Sequence, residues 1–104
     1  MNEFKAGASM IDITPDLPVN LGGMFLSFAT FKVRDNLYSS AVSFCNGENT
    51  IIIISCDVAI VTEETTAKVR AAVSSLTGVK PLNIMLCATH THNAPYAAIP
   101  TIYL

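Results

Sequence analysis

Tryptophan is absent from this 104-residue chain, charged residues make up only 13% of it, and histidine occurs just twice. Six Lys and Arg residues stand against eight Asp and Glu, which gives a formal net charge of −2. No basic patch is therefore available to neutralise successive phosphates, and nucleic acid is not expected as a partner. The apolar runs are also short. Ile51 to Ile54 is far below the roughly 20 residues that a transmembrane helix needs, so no membrane span is predicted.

Cysteine is scarce, and the positions of the cysteines do not indicate disulfide bonds. The three cysteines, Cys45, Cys56 and Cys87, are odd in number and show no Cys-x-x-Cys spacing. We expect them to be buried free thiols, with metal ligation by one of them as the less common alternative. A signal sequence is also missing from this chain, because Met1 to Lys5 is not a basic segment followed by an apolar one. The compartment stays open between the cytoplasm and secretion after removal of a signal.

Apolar residues, in contrast, are abundant. They make up 51% of the chain, and the mean hydropathy is +0.47. A chain of this length can build one core, so residues 1–104 are expected to form a single domain. So few charges on so apolar a chain also indicate that part of its surface is covered by a second domain or by another copy of the chain.

The first half of the chain reads as strands and one long loop. A partly alternating segment over residues 8–13 predicts a strand that ends before Pro15, and the glycine- and proline-bearing stretch from Pro15 to about Thr30 predicts a long loop. Residues 37–45 and 50–56 predict two strands joined by a turn over 46–49, which is a hairpin. Because Ile51 to Ile54 shows no alternation, the second of these strands is expected to be central and buried on both faces.

The second half predicts a strand, a helix and a parallel strand. Thr62 can cap a helix over Thr62 to Thr77, which Gly78 would end, and an apolar strand follows over residues 82–88. A strand, crossover helix and strand form a βαβ unit, which is almost always right-handed. The predicted fold class is therefore α/β, a mixed β-sheet with a hairpin and one right-handed βαβ unit.

The candidate site lies where the two parallel strands end. His90 and His92 follow the strand over 82–88, and alternation along an extended chain would send both imidazoles to the same side, which suits a metal ion. Asp57 follows the preceding parallel strand and so shares the carboxyl edge, where open α/β sheets bind ligands. Three roles are open to Asp57: it accepts a hydrogen bond that orients a histidine, it binds the metal itself, or it caps or forms a salt bridge with the segment that leads to the helix. The plainer alternative for the histidines is a surface pair in a loop.

Several short motifs, taken in order, give the chain a resemblance to a known family. They are Ala6-Gly7 leading to Asp12-Ile13-Thr14-Pro15, then Leu21-Gly22-Gly23-Met24, Asp35-Asn36-Leu37-Tyr38, Ser55-Cys56-Asp57 and Ala88-Thr89-His90-Thr91-His92. With these motifs the chain resembles the amino-terminal part of the neutral/alkaline ceramidase family. Where the family commonly continues His-Thr-His-Ser-Gly-Pro, this chain has Asn93-Ala94-Pro95 after His92.

The resemblance implies a zinc-dependent amidase that cleaves the N-acyl bond of ceramide or a related lipid amide. It assigns zinc ligation to His90 and a place beside the substrate to His92. With the sheet-edge argument for Asp57, the expected catalytic residues are His92 and Asp57. In the family the other zinc ligands, a histidine, a glutamate and a tyrosine, come from sequence far downstream. We therefore expect this chain to be a fragment of a larger catalytic domain, inactive alone and completed by the remainder of that domain.

Two other functions fit the same residues. One is a metal-dependent hydrolase of the amidohydrolase type, in which a His-x-His motif also ends a strand. The other is a small non-catalytic α/β interaction module. The loop-rich, hairpin-containing segment before His90 distinguishes this chain from an amidohydrolase barrel, in which repeated βα units follow the motif.

Overall fold

The computed structural model describes residues 3–17, 19–21, 28–30 and 32–94. Within these residues the secondary-structure elements are, in chain order, β1 (Lys5–Asp12), β2 (Val19–Leu21), β3 (Phe28–Thr30), β4 (Tyr38–Cys45), β5 (Thr50–Cys56), α1 (Glu63–Thr77), a 3-10 turn (Pro81–Asn83) and β6 (Ile84–Ala88). The family-like glycine pair Gly22-Gly23 with Met24, and also Pro95, lie outside the described residues.

The main sheet has four strands in the order β1-β4-β5-β6. β1 pairs with β4 and β4 with β5 in antiparallel fashion, whereas β5 and β6 are parallel. The hairpin between β4 and β5 is confirmed. Its turn is closed by the Asn46 side chain, whose Oδ1 accepts the amide protons of Glu48 and Asn49, while Gly47 takes a positive φ of 96°. The predicted mixed α/β sheet is therefore confirmed.

The helix between the parallel strands forms as the sequence predicts. The Oγ1 of Thr62 accepts the amide proton of Thr65 at the first turn, and Glu63 and Glu64 lie near the positive end of the helix dipole. Gly78 ends the helix in the left-handed conformation, φ 76°, and its N–H donates to the Ser74 carbonyl. α1 packs against β6, where Arg70 Nε donates to the carbonyl of Ile84 at 2.8 Å.

The predicted loop from Pro15 to Thr30 is partly wrong. Val19–Leu21 and Phe28–Thr30 pair as a separate two-stranded antiparallel sheet. Each strand has only three residues, too few for the alternation that identifies a strand in sequence, and the pairing is made by backbone groups. β1 also begins three residues earlier than predicted, because its register with β4 continues from Asp12 back to Lys5.

One face of the sheet is covered near β6 by α1, although Ile11 of β1 on that face is 65% exposed, and the other face is open. Ile54 and Ile84 on the covered face are buried, Ile84 next to α1. The opposite side, called the open face below, carries large apolar side chains that are 37–69% exposed: Phe4, Met10, Val42, Phe44, Ile51 and Met85. Register places Val42 opposite Ile53 and Phe44 opposite Ile51, and Phe4 stacks on Phe44 with ring centroids 6.0 Å apart.

The prediction for Ile51 to Ile54 is thus half right. β5 does lie between β4 and β6, but Ile51 is 44% exposed, because helix α1 covers one face alone in the described part of the chain. Cys45, Cys56 and Cys87 are free but half-buried, whereas the sequence predicts full burial. No helix in the described residues is long and apolar enough to cross a membrane.

The cap of α1 gives a prediction for stability. Thr62→Ala removes the acceptor for the Thr65 amide, so the free energy of unfolding should fall by about 1 kcal/mol. Thr62→Ser keeps a hydroxyl at this position and is the matched control. Urea unfolding followed by circular dichroism measures both, and equal losses in the two variants would contradict the assigned cap.

Candidate functional site

Four strand ends meet at one edge of the main sheet. Register aligns Asp12 at the end of β1 with Tyr38 at the start of β4, and Cys56 at the end of β5 with Ala88 at the end of β6. This edge therefore collects the segments that follow three strands. His90, His92 and Asp57, the three residues predicted from the sequence, all lie in those segments.

The backbone and the ring of His90 are both held by the segment that follows β5. The His90 amide donates to the carbonyl of Val58 at 3.0 Å, and its Nδ1 lies 2.8 Å from the carbonyl oxygen of Ala59. Val58 and Ala59 are 8% and 2% exposed, so the two acceptors belong to the small core. A backbone carbonyl can only accept a hydrogen bond, so Nδ1 must carry the proton. The neutral ring then presents the lone pair of Nε2, the arrangement that metal-binding histidines commonly adopt.

The backbone of His90 is unusual. Its φ is +64°, in the left-handed region, where a non-glycine residue costs about 1–2 kcal/mol. The chain is therefore not extended from Ala88 to His92, and the alternation expected from the sequence does not apply here. The left-handed turn nevertheless brings the two rings together. The centroids of His90 and His92 are 4.9 Å apart, with the planes perpendicular. Both histidines are exposed residues.

Asp57 bonds to the neighbouring strand rather than to a histidine ring. Its Oδ2 accepts the amide proton of Tyr38 at 2.9 Å, and its own amide donates to the Tyr38 carbonyl, also at 2.9 Å. These two bonds extend the pairing of β4 and β5 by one residue. The acceptor that orients the His90 ring is the carbonyl of Ala59, a backbone group that no sequence motif indicates.

Asp12 and Thr14 bond to the segment that precedes Tyr38. Asp12 Oδ1 accepts the amide proton of Thr14 and its Oδ2 accepts from Asn36 Nδ2, both at 2.8 Å. Thr14 Oγ1 in turn accepts the amide proton of Leu37 at 2.8 Å. These bonds fix the entry into β4. The sequence pattern predicts only the end of a strand at this motif, although Asp-x-Thr is also a signal for a side chain that accepts the amide two residues later.

The same hydrogen bonds change the pKa of the Asp12 carboxyl group. Hydrogen bonds from the Thr14 side chain, then from its amide, and a weaker one from Asn36 lower the pKa of Asp12 below its ordinary value. The carboxylate is therefore the form that the fold favours.

In the described residues, no group of three or more His, Cys, Asp and Glu side chains is close enough to hold a metal ion. His90 has the donor chemistry of a single zinc ligand, whereas a catalytic zinc site generally takes three from the protein. The described residues thus fit one corner of such a site and not a complete one.

Comparison with known proteins agrees with the fold. No protein-family model matches the chain, and no curated protein does. Among solved structures, neutral ceramidase from Pseudomonas aeruginosa is similar, with a TM-score of 0.75 and 22% sequence identity over 91% of this chain. The match spans 16% of that protein's chain. At this identity it shows that the four-stranded mixed sheet with its helix recurs as a small part of a larger structure.

The lowered pKa of Asp12 predicts how stability depends on pH. A folded-state pKa below the unfolded value stabilises the fold above about pH 4, and this contribution is lost as the pH falls through the folded pKa. Asp12→Asn imitates the protonated acid. The stability difference between wild type and this variant should therefore be constant at neutral pH and shrink below about pH 4.

Asp35→Asn is the control, because it neutralises an exposed carboxylate in the segment that Asp12 holds. Urea unfolding at a series of pH values measures both differences. A difference for Asp12→Asn that does not change with pH would show that the carboxylate charge has no part in these bonds.

Proposed function

We propose that this chain forms the amino-terminal part of the catalytic domain of a zinc-dependent, ceramidase-like amidase. Its substrate would be the N-acyl bond of ceramide or a related lipid amide. The observation that carries the proposal is the His90 ring, which Ala59 fixes with Nε2 available at the carboxyl edge of the sheet. The fold shared with a neutral ceramidase and the family-like order of motifs support it.

In this proposal His90 is a zinc ligand through Nε2. Its Nδ1–H donates to the Ala59 carbonyl, which keeps the ring in the required tautomer and orientation before any metal binds. The left-handed backbone at His90 turns the ring away from the direction of β6 and towards the segment after β5. A ligand held in this way loses little conformational freedom when it coordinates.

In the same proposal, His92 contacts the substrate. Its ring meets the His90 ring edge-on at 4.9 Å, so a group bound next to His90 is within reach of an imidazole N–H or lone pair. Such a side chain can donate a hydrogen bond to the amide carbonyl oxygen or exchange a proton with the leaving nitrogen. Asp57 belongs to the same edge of the sheet.

Zinc, when bound, acts as a Lewis acid that polarises the amide carbonyl and makes water a better nucleophile. The described residues supply no set of three ligands, so the remaining ligands would come from further sequence of the parent enzyme. We therefore expect the isolated chain to bind zinc weakly and to have no amidase activity.

The open face supports a role for a partner in completing this domain. Four strands about 4.8 Å apart and about seven residues long cover roughly 400 Å², which is the size of the largest apolar patch on a typical monomer, and a patch of that size often has a function. We propose that this face contacts the remainder of the catalytic domain or, in the isolated chain, another copy. The same face is also the observation that favours a non-catalytic interaction module. An amidohydrolase barrel is less well supported, because an antiparallel hairpin precedes the histidines.

Zinc binding tests the assignment of His90. Calorimetric titration of the chain with zinc should show weak binding that His90→Ala reduces at least about tenfold, because a lost ligand should cost no less than the 10–100-fold seen for lost ligand-supporting groups. His92→Ala is the matched control and should retain zinc. Equal losses in the two variants would make His92 a ligand as well, and tight binding that survives His90→Ala would contradict the proposal.

The division of roles is then tested by hydrolysis of a short-chain N-acyl sphingosine, using a longer polypeptide that includes the downstream sequence. His92→Ala should keep its zinc content by elemental analysis and lose about 10²–10³-fold in kcat, the loss typical of a removed oxyanion donor. His90→Ala should lose both zinc and activity. A longer wild-type polypeptide that binds zinc but hydrolyses no lipid amide would refute the proposed substrate class.

The open face predicts self-association of the isolated chain. Met85→Lys places a charge on this face, where Met85 is 56% exposed, and should shift the chain towards the monomer in sedimentation equilibrium. Leu76→Lys is the control, because Leu76 is 87% exposed on α1, on the other side of the sheet. A monomeric wild-type chain, or an equal effect of both substitutions, would show that the open face is not the contact surface.

A further inference from the structure

The Asp57 carboxylate lies at the candidate site without contacting either histidine by a hydrogen bond in the described structure. It accepts a hydrogen bond from the Tyr38 amide, 19 residues earlier in the chain and on the neighbouring strand. A carboxylate that accepts a backbone N–H makes a charge-assisted hydrogen bond, which is stronger than a bond between neutral groups. This bond fixes the position of Asp57 at the point where β5 ends.

The segment that begins at Asp57 is very short. Val58 and Ala59, the next two residues, supply the carbonyls that bind the His90 amide and the His90 ring. The Val58 amide donates back to the Cys56 carbonyl at 2.9 Å, which tightens the turn, and the same carbonyl accepts the Thr89 amide at 3.0 Å. The position of the His90 ring therefore depends on where residues 57–59 are held.

We infer that Asp57 is a positioning residue for His90 that acts through the backbone. Its carboxylate anchors the turn over residues 57–59 on β4, and the Val58 and Ala59 carbonyls of that turn keep His90 in its left-handed conformation with the proton on Nδ1. This inference rests on the proposed function for the role of His90 as a zinc ligand. The placement of the ring itself is independent of zinc.

The hydrogen-bond chemistry distinguishes this role from direct action on a metal or substrate. Positioning requires only an oxygen that accepts the Tyr38 N–H, which the side-chain amide of asparagine also provides. Ligation of a metal, or proton transfer, requires the carboxylate itself. Asp57→Asn should therefore preserve the function of the residue, whereas Asp57→Ala should remove it.

The first measurement needs no metal. At about pH 8.5, two units above the ordinary histidine pKa of about 6.5, long-range proton–nitrogen correlation spectra report the tautomer of each ring. Comparison with His90→Ala assigns the His90 signals. Wild type and Asp57→Asn should both carry the proton on Nδ1 of His90, and Asp57→Ala should shift towards the mixture of an unconstrained imidazole.

Asn46→Ala is the matched structural control. It removes two bonds between a side chain and the backbone at the hairpin turn, on the opposite edge of the sheet, so it should lower stability without changing the His90 tautomer. If Asp57→Ala does not fold, Asp57→Asn alone decides: an unchanged tautomer supports the inference, and a changed one overturns it.

The second measurement is titration with zinc. Asp57→Ala should weaken binding about three- to tenfold, less than the 10–100-fold typical of a group bonded directly to a ligand, because it acts through one further bond. Asp57→Asn should remain within about twofold of wild type. Loss of affinity in Asp57→Asn as large as in Asp57→Ala would overturn positioning in favour of direct ligation. If the wild-type chain binds no zinc while the tautomers behave as expected, the proposed metal function fails and the positioning role stands.

Discussion

Two backbone carbonyl oxygens, those of Val58 and Ala59, determine the conformation of the candidate site. One accepts the His90 amide and the other faces Nδ1 of the ring. Together they hold a residue whose left-handed backbone is unfavourable by about 1–2 kcal/mol. Hydrogen bonds in a protein typically contribute about 0.5–1.5 kcal/mol each, so two of them are of the right size to offset that cost. The conformation of His90 therefore depends on the turn after β5 rather than on its own strand.

The turn over residues 57–59 is held in place by residues on the neighbouring strands. Asp12 and Thr14 fix the entry into β4, Tyr38 at the start of β4 bonds to Asp57, and Asp57 begins the turn that holds His90. The steps that lead to Asp57 each join a polar side chain to a neighbouring backbone group at the same edge. Strand pairing alone would align the strands but would leave the segments beyond their ends free to differ. The short polar side chains extend the order of the sheet into the loops that carry the candidate site.

The sequence was sufficient to predict the elements whose patterns are local. The hairpin over β4 and β5, the cap at Thr62 and the parallel β5–α1–β6 unit all follow from periodicity and from residues at fixed positions. The three-residue strands β2 and β3 could not be found in that way, because so short a pairing leaves no period. Four consecutive isoleucines correctly indicated a central strand, but they carry no information about what covers each face.

The sequence indicated which residues lie together at this edge of the sheet but not their geometry. Spacing correctly brought His90 and His92 together, but by alternation along a strand, whereas the structure uses a left-handed turn. Histidine is not a strong signal for a positive φ, and the ring acceptor is a main-chain carbonyl 31 residues away in sequence. The partner of Asp57 is likewise a backbone amide. Every residue type except proline has such an N–H group, so the identity of residue 38 does not predict the bond. Contacts of this kind depend on the tertiary fold and leave no mark on side-chain identity.

The left-handed backbone at His90 favours one residue type, and the hydrogen bond of its side chain requires another. A positive φ is adopted most readily by glycine, which has no Cβ to clash, so the backbone at this position is least strained when no ring is present. The bond to Ala59 exists only when an imidazole is present. Position 90 is therefore a point of local frustration, because the residue that would relax the backbone is glycine and the residue that bonds to Ala59 is histidine. Such a conflict is typical of positions where a fold gives up some stability for chemistry.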